Sequence, residues 1–391
     1  WGSAPPAARS KSLNPLYIYA SVFPSHLTSF CRGLGAVFND LEGVEVPIIT
    51  FRNKPPEFHE AEDGPLIHSY PCKKRHPFHI PRSFLNALDD GSLVLKGAVL
   101  HGTYSPQVFA LAKALWRRKI PYIFMPHDPY VKKLRRHHGI RKFVYWHLCE
   151  KWVIENAAAL QLLSASHEAP LRELGRKTPV HTLANGCNPG ELKKIGPDVR
   201  VPGEAEDFVI QYLGRMDRNH KGLDLLIRGY VKFLEKIPDG SKVKLVLSGN
   251  DWEDREYLES LAGKLGLGDR VEFTGRLEDH SVVVHSRADI SVLCSRFDGF
   301  GLTIVEAMLA GRPVLVSSKA GIAEFVKEAG AGFVVEPDEF RIQEGLAMAW
   351  NQRGDLAAMG ERGRKFVIEN LTWEKVARRS LDIYAKVFCD K

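Results

Sequence analysis

Phe208-Val209-Ile210-Gln211-Tyr212-Leu213-Gly214-Arg215-Met216-Asp217-Arg218-Asn219-His220-Lys221-Gly222 is the stretch from which the fold is read. Its first six residues are apolar, β-branched or aromatic apart from Gln211, and a glycine closes them, so they predict a buried strand. Gly222–Ile237, which follows, has apolar residues at helical spacing. Outward from this unit the same alternation recurs. Toward the C-terminus, strands are predicted at Val243–Leu247, Val271–Phe273, Ile290–Cys294, Val314–Val316 and Phe333–Val335, with helices between them such as Arg255–Leu265 and Leu302–Ala310. Toward the N-terminus, strands are predicted at Leu16–Val22, Val46–Phe51, Leu93–Leu100, Tyr122–Met125, Leu160–Ser164 and Val180–Leu183, with a helix over Pro106–Lys119. Nearly continuous apolar strands separated by helices imply parallel sheets covered on both faces. The expected fold class is α/β, with two Rossmann-like doubly wound domains.

The chain has 391 residues, of which 44% are hydrophobic and 26% charged, which excludes a mainly disordered chain. No apolar run approaches the roughly 18 residues of a membrane span. Residues 1–14 lack the apolar core of a secretory signal and read as a leader or expression remnant. The domain expectation is 15–185 for an N-terminal domain, 186–205 for a linker, 206–372 for a C-terminal domain and 373–391 for a final helix. Asn185-Gly186 and the prolines and glycines up to Gly203 carry the break. Six cysteines with no CxxC or metal-ligand spacing read as reduced thiols, which favours a cytoplasmic location and no structural zinc. Residues 1–200 hold 27 Lys and Arg against 16 Asp and Glu, while the remainder holds 27 against 31. The basic half is expected to face something anionic.

Two motifs carry the chemistry. Gly214–Gly222 places Arg215 and Lys221 at a strand-to-helix turn. There a guanidinium fork, an ammonium and a helix N-terminus suit a phosphate. Phe297-Asp298-Gly299-Phe300-Gly301-Leu302-Thr303-Ile304-Val305-Glu306 follows another strand and opens a helix. Its glycines let backbone approach a ligand, and the Gly301, Leu302 and Thr303 amides form an anion nest flanked by Asp298 and Glu306. A plainer reading makes Asp298 a helix cap and Glu306 a first-turn partner of the helix dipole.

These motifs, with Gly311-Arg312-Pro313-Val314 and Ser317–Glu324, stand in an order that resembles the retaining glycosyltransferases of family 4. The resemblance runs from Phe208 to Trp373 and loosely through the first half. It implies the GT-B architecture, in which two domains face each other across a cleft and the final helix crosses back to the N-terminal domain. It implies a nucleoside-diphosphate sugar donor and a glycan, lipid-linked or small-molecule acceptor, as in cell-envelope polysaccharide synthesis. Transfer would retain configuration and need neither cofactor nor metal. By position, Arg215 and Lys221 would hold the diphosphate. Gly249, Asn250, Arg276 and Leu277 would line the base pocket, and Phe300 to Thr303 the phosphate nest. Glu306 would bind the ribose, and Asp298, where the family usually has Glu, the donor sugar. His127, after the strand Tyr122–Met125, matches the family's active-site histidine and completes a catalytic set with Asp298 and Glu306. Ser25, His26 and His101 are expected on the acceptor side; Pro24-Ser25-His26 stands where the family often has a Gly-Gly loop.

Lys132, Lys133, Arg135 and Arg136, followed by Arg141, Lys142 and the aromatics Phe143, Tyr145 and Trp146, read as a solvated face, as contact with an anionic membrane surface or as a guide for a phosphorylated acceptor. Membrane contact would place the protein peripherally on an inner membrane face. The competing functions are a sugar-nucleotide epimerase or phosphorylase on the same architecture, and a basic nucleic-acid-binding protein. The last is disfavoured because no RRM, KH or zinc signature is present, so no nucleic-acid partner is expected.

Overall fold

The computed structural model describes residues 18–20, 48–50, 67–70, 78–127, 130, 139–197, 199–251 and 253–389. Among them, thirteen strands form two sheets. The first comprises β1 (Ile18–Ala20), β2 (Ile48–Thr50), β3 (Ile67–Ser69), β4 (Ala98–His101), β5 (Tyr122–Met125), β6 (Ala159–Leu162) and β7 (Val180–Thr182), in the order β3-β2-β1-β4-β5-β6-β7. The second comprises β8 (Phe208–Leu213), β9 (Val243–Ser248), β10 (Val271–Gly275), β11 (Ile290–Leu293), β12 (Val314–Ser317) and β13 (Gly332–Val335), in the order β10-β9-β8-β11-β12-β13. In the second sheet the pairings are parallel, with Ile210 opposite both Leu245 and Ile290. Every residue of β4, β5, β6, β11 and β12 is buried, as strands covered by helices on both faces require.

In the second sheet, β8 pairs with β9 on one side and β11 on the other, so the chain reverses its direction of travel across the sheet there. Doubly wound sheets take their ligands at such a switch point, outside the carboxyl ends of the strands, here β8 and β11. The core behind it is built by helix Leu223–Leu234 against helix Glu339–Asn351. Leu226, Ile227, Tyr230 and Phe233 of the first are fully buried, as are Ile342, Leu346 and Ala349 of the second. A side chain at Gly229 would sit 2.8 Å from Ile342, so the two helices touch where glycine leaves room. Each large apolar side chain removed from water there contributes about 1.5–3 kcal/mol.

Two buried charges tie the approach to β8 down. Asp289 accepts from Arg200 Nε, Gly203 N and Val209 N, each at 2.7 Å. Arg312, of the Gly311–Val314 motif, donates to the carbonyls of Ala288 and Arg200. Burial, with Arg364 nearby, lowers its pKa to about 10. The motif's arginine is therefore a brace between chain segments.

By internal contacts the described residues divide into two units. One takes residues up to Met125, Ile140–Leu160 and those from Ser380 onward; the other takes Pro126–Gly139 and Gln161–Arg379. Residues 186–205 lie within the second unit. In the first unit, a side chain on Gly97 would fall 2.5 Å from the Phe388 ring, which seats the end of the last helix. Strand β3 has no counterpart in the sequence reading, because Ile67-His68-Ser69 is three residues long with a single β-branched side chain. Among the described residues no helix is long and apolar enough to cross a membrane.

Candidate active site

The loop after β8 is short and tightly braced. Asp217 caps a one-turn helix, Arg218–Lys221, by accepting from His220 N at 2.9 Å. Gly222 ends that turn with φ 66°, and a Cβ there would lie 2.3 Å from the Cys294 carbonyl oxygen, so only glycine lets the loop press against the end of β11. Arg296 locks the same junction. Its guanidinium grips both oxygens of Asp224 at 2.7 Å, and its amide donates to His220 O. The hydroxyl of buried Tyr212 donates to Arg215 O at 2.7 Å, fixing the backbone beneath an exposed Arg215 side chain.

Adjacent strand ends close up behind this loop. A side chain on Gly249 would fall 1.9 Å from Gly214 O, Met216 N donates to Asn250 O, and Gly249 N donates to Gly275 O. Gln211, Ser248 and Thr274 form a side-chain chain across β8, β9 and β10 at 2.9 Å per link. The structure thus brings Gly214, Gly249 and Asn250 together. Arg276 and Leu277 follow Gly275 directly, the arginine exposed and the leucine half-buried.

The loop after β11 answers the loop after β8 with charge. Lys221 Nζ donates to Asp298 Oδ2 at 2.5 Å, Ser295 Oγ donates to the same oxygen at 3.3 Å, and Phe300 N donates to Oδ1 at 3.3 Å. Burial pushes the Asp298 carboxyl up, yet Lys221 and these donors hold it below the ordinary carboxylate range. Asp298 is therefore not the helix cap of the plainer reading. Gly301, at φ 103°, occupies the cap of helix Leu302–Leu309, with no side-chain cap bond. The first amides of that helix, Leu302 and Thr303 among them, lack intrahelical acceptors by geometry. The ring of Phe300 is buried against Phe325 at 5.8 Å, so that side chain belongs to the core and only its backbone faces the loop.

Glu306 lies beyond the first helical turn, which also removes the dipole-partner reading. Burial raises its pKa to about 7; a hydrogen bond with Ser281 opposes the shift and the charge of Glu191 adds to it. Glu306 is thus a carboxyl poised to titrate near neutrality.

Of the histidines, His127 directly follows β5 and holds φ 61°, a backbone conformation that costs a non-glycine residue about 1–2 kcal/mol and collects at functional sites. His101 ends β4 fully buried, and burial lowers its pKa to about 3, so it is neutral at physiological pH. Ser25, His26, Lys132, Lys133, Arg135 and Arg136 lie outside the described residues. One site residue escaped the sequence reading: His167, after β6. It is buried, with a pKa lowered to about 4 by burial against the opposing pull of Asp298's charge. Its signal was Ser164-Ala165-Ser166-His167 at a strand end, where Ser164 accepts from Ser166 N and Ala165 N donates to Glu324. Among the described residues no three His, Cys, Asp or Glu side chains gather to hold a metal ion.

The loop after β8 carries an exposed guanidinium and an ammonium with one of its three donors given to Asp298, and the loop after β11 leads into helix amides that lack intrahelical acceptors. Such a set stabilises a diphosphate as negative charge develops on it.

Comparison with known proteins agrees with that geometry. The model for glycosyl transferases group 1 matches residues 198–366, and that for a glycosyl transferase 4-like domain matches residues 31–186. An uncharacterized glycosyltransferase of Methanocaldococcus jannaschii is 30% identical over 52% of this chain and 53% of its own length. The chain therefore spans about half of that relative. A D-inositol 3-phosphate glycosyltransferase of Corynebacterium urealyticum is 26% identical over 73% of this chain and 70% of its own. In fold, the chain resembles HepE of Anabaena, solved with UDP and glucose, at a TM-score of 0.73 and 17% identity, covering 95% of this chain and 100% of that one. Its two parallel-sheet α/β domains are those of GT-B glycosyltransferases. With both domain models matched in succession along most of its length, the chain belongs to the group 1 glycosyl transferases, a family of transferase enzymes.

Proposed function

We propose that the chain moves a hexose-type sugar from a nucleoside-diphosphate sugar to a hydroxyl of a glycan, lipid-linked or small-molecule acceptor, with retention at the anomeric carbon and without a metal. The observation that carries this reading is that Lys221, on the loop after β8 that also bears Arg215, is bonded to Asp298 on the loop after β11 that leads into the Gly301–Thr303 turn, at the switch point between the two strands. As the bond from the anomeric carbon to the β-phosphate oxygen breaks, its electron pair passes to that oxygen. Arg215, Lys221 and the helix amides stabilise the charge that develops there. The acceptor oxygen then bonds to the same carbon on the same face, and its proton goes to the leaving phosphate oxygen. Glu306 accepts from the ribose hydroxyls. His127 donates to a hydroxyl of the transferred sugar, and Asp298 orients Lys221 as well as the sugar.

HepE of Anabaena was solved with UDP and glucose, which makes UDP and UDP-glucose the first ligands to try. The test is a thermal-shift screen of nucleoside diphosphates followed by transfer assays with EDTA present. The reading expects stabilisation by a nucleoside diphosphate, about 2.7 kcal/mol at 100 times its dissociation constant, and transfer unaffected by chelation. Donor consumption that requires free phosphate instead of an acceptor hydroxyl would favour a phosphorylase. The basic N-terminal half is read as facing an anionic membrane surface, a peripheral placement.

A further inference from the structure

Residues 139–156 run as one helical stretch: Gly139–Tyr145, a π turn at Trp146–Glu150, and Lys151–Asn156. One side is buried in the first unit through Trp146, Cys149, Glu150, Val153 and Ile154, with Glu150 accepting from Tyr104 N at 3.1 Å. The other side is apolar and bare. Ile140 is 84% exposed, Phe143 65%, Val144 48% and Leu148 69%. Their spacing puts them on one helical face, and one turn beyond Leu148 the ring of Trp152 meets the exposed Trp116 at 5.8 Å. Scattered exposed apolar residues are ordinary, whereas a contiguous run of them marks a contact surface.

Among the described residues, cations flank this face. Arg141 and Arg117 are exposed, Lys142 lies over the Tyr104 ring at 5.2 Å, and Lys113 lies over the Phe109 ring at 5.1 Å, while of the two carboxylates on the stretch Glu150 is buried and Glu155 is exposed. Apolar side chains with an aromatic beside them suit the acyl boundary, and the cations suit headgroup phosphates.

We propose that the face of Ile140, Phe143, Val144 and Leu148 docks on an acidic phospholipid surface, with the flanking cations on the headgroups. This rests on the reading of the basic half as membrane-facing and supplies its contact. A second copy of this chain is the weaker occupant, because two-fold pairing sets the same cations against one another.

The test is flotation of the full chain with vesicles of phosphatidylcholine alone and of phosphatidylcholine with phosphatidylglycerol, for wild type and for Phe143→Glu with Leu148→Glu. Wild type floats with the acidic vesicles only, and the double variant loses about tenfold or more of that binding. Three results would overturn the docking face: no flotation of wild type, equal flotation of the variant, or a wild-type dimer that the variant breaks without any flotation. UDP-induced thermal stabilisation is measured on both proteins in parallel. Because the substitutions lie on the surface and outside the donor loops, the variant keeps that shift, which also shows that it folds. Absence of a shift in wild type with every nucleoside diphosphate of the screen would count against the donor reading, while flotation still decides the docking face.

Discussion

Lys221 and Asp298, 77 residues apart, meet at 2.5 Å and join the loop after β8 to the loop after β11. The pair is nearly enclosed, with side-chain exposures of 19% and 11%. One contact thus fixes the separation of the two loops that would flank a donor, and leaves the ammonium two further hydrogens to offer.

Removing one partner of an enclosed pair strands the other. Lys221→Ala should lower stability by about 2–4 kcal/mol at neutral pH. The carboxyl of Asp298 is held below its ordinary value of 3.8, so its contribution is present above that value and is lost as pH falls through the lowered one. In the variant, burial acts without its counterweight and the pKa rises, so acid should narrow the difference between variant and wild type. Urea unfolding between pH 3 and 7 reads both effects. A constant difference across that range would refute the pairing.

Glu306 behaves in the opposite sense. Its folded pKa is raised to about 7 from an ordinary 4.5, so the stability it gives is full below the lower value and is lost as pH rises through the higher one. Glu306→Gln removes that loss and should be more stable than wild type above pH 7, by about 1–3 kcal/mol. If the ionised carboxylate accepts ribose hydroxyls, the same substitution abolishes transfer, and wild-type nucleotide affinity climbs as pH passes about 7. Calorimetry at pH 6 and pH 8 reads the second point, and a flat affinity would remove Glu306 from the ribose.

Gly222 has a left-handed φ of 66° and no room for a Cβ beside Cys294 O. Gly222→Ala combines strain with a backbone clash and should cost about 2–4 kcal/mol. Gly240, also left-handed at φ 81° but with nothing near its Cβ position, supplies the control, and Gly240→Ala should cost about 1 kcal/mol. Equal losses in thermal unfolding would show that the contact with β11 is slack.

The strands of the second sheet were legible to within two residues because they are rich in apolar and β-branched side chains and are bounded by turn residues. Phe208–Leu213 and the loop after it needed only periodicity and a strand-to-helix turn to be read. What sequence could not show is what each polar group faces. The plainer reading of Asp298 as a cap fails because Lys221 faces it, and the Phe300 side chain, expected at the donor, fills the core. His167 was missed because nothing local to a Ser-Ala-Ser-His turn reveals a carboxylate 131 positions away. Strand β3 was missed because three residues are too few to carry a period.

The central claim is that Arg215 and Lys221 grip a diphosphate, and isothermal titration of the nucleoside diphosphate that stabilises the protein most into wild type and Arg215→Ala tests it most directly. Thermal unfolding of both proteins is followed in parallel, which separates a change in fold from a loss of binding. The account predicts saturable binding by wild type that weakens about tenfold or more in the variant, as the loss of a charge-assisted hydrogen bond requires. Equal affinity in the two proteins would contradict it.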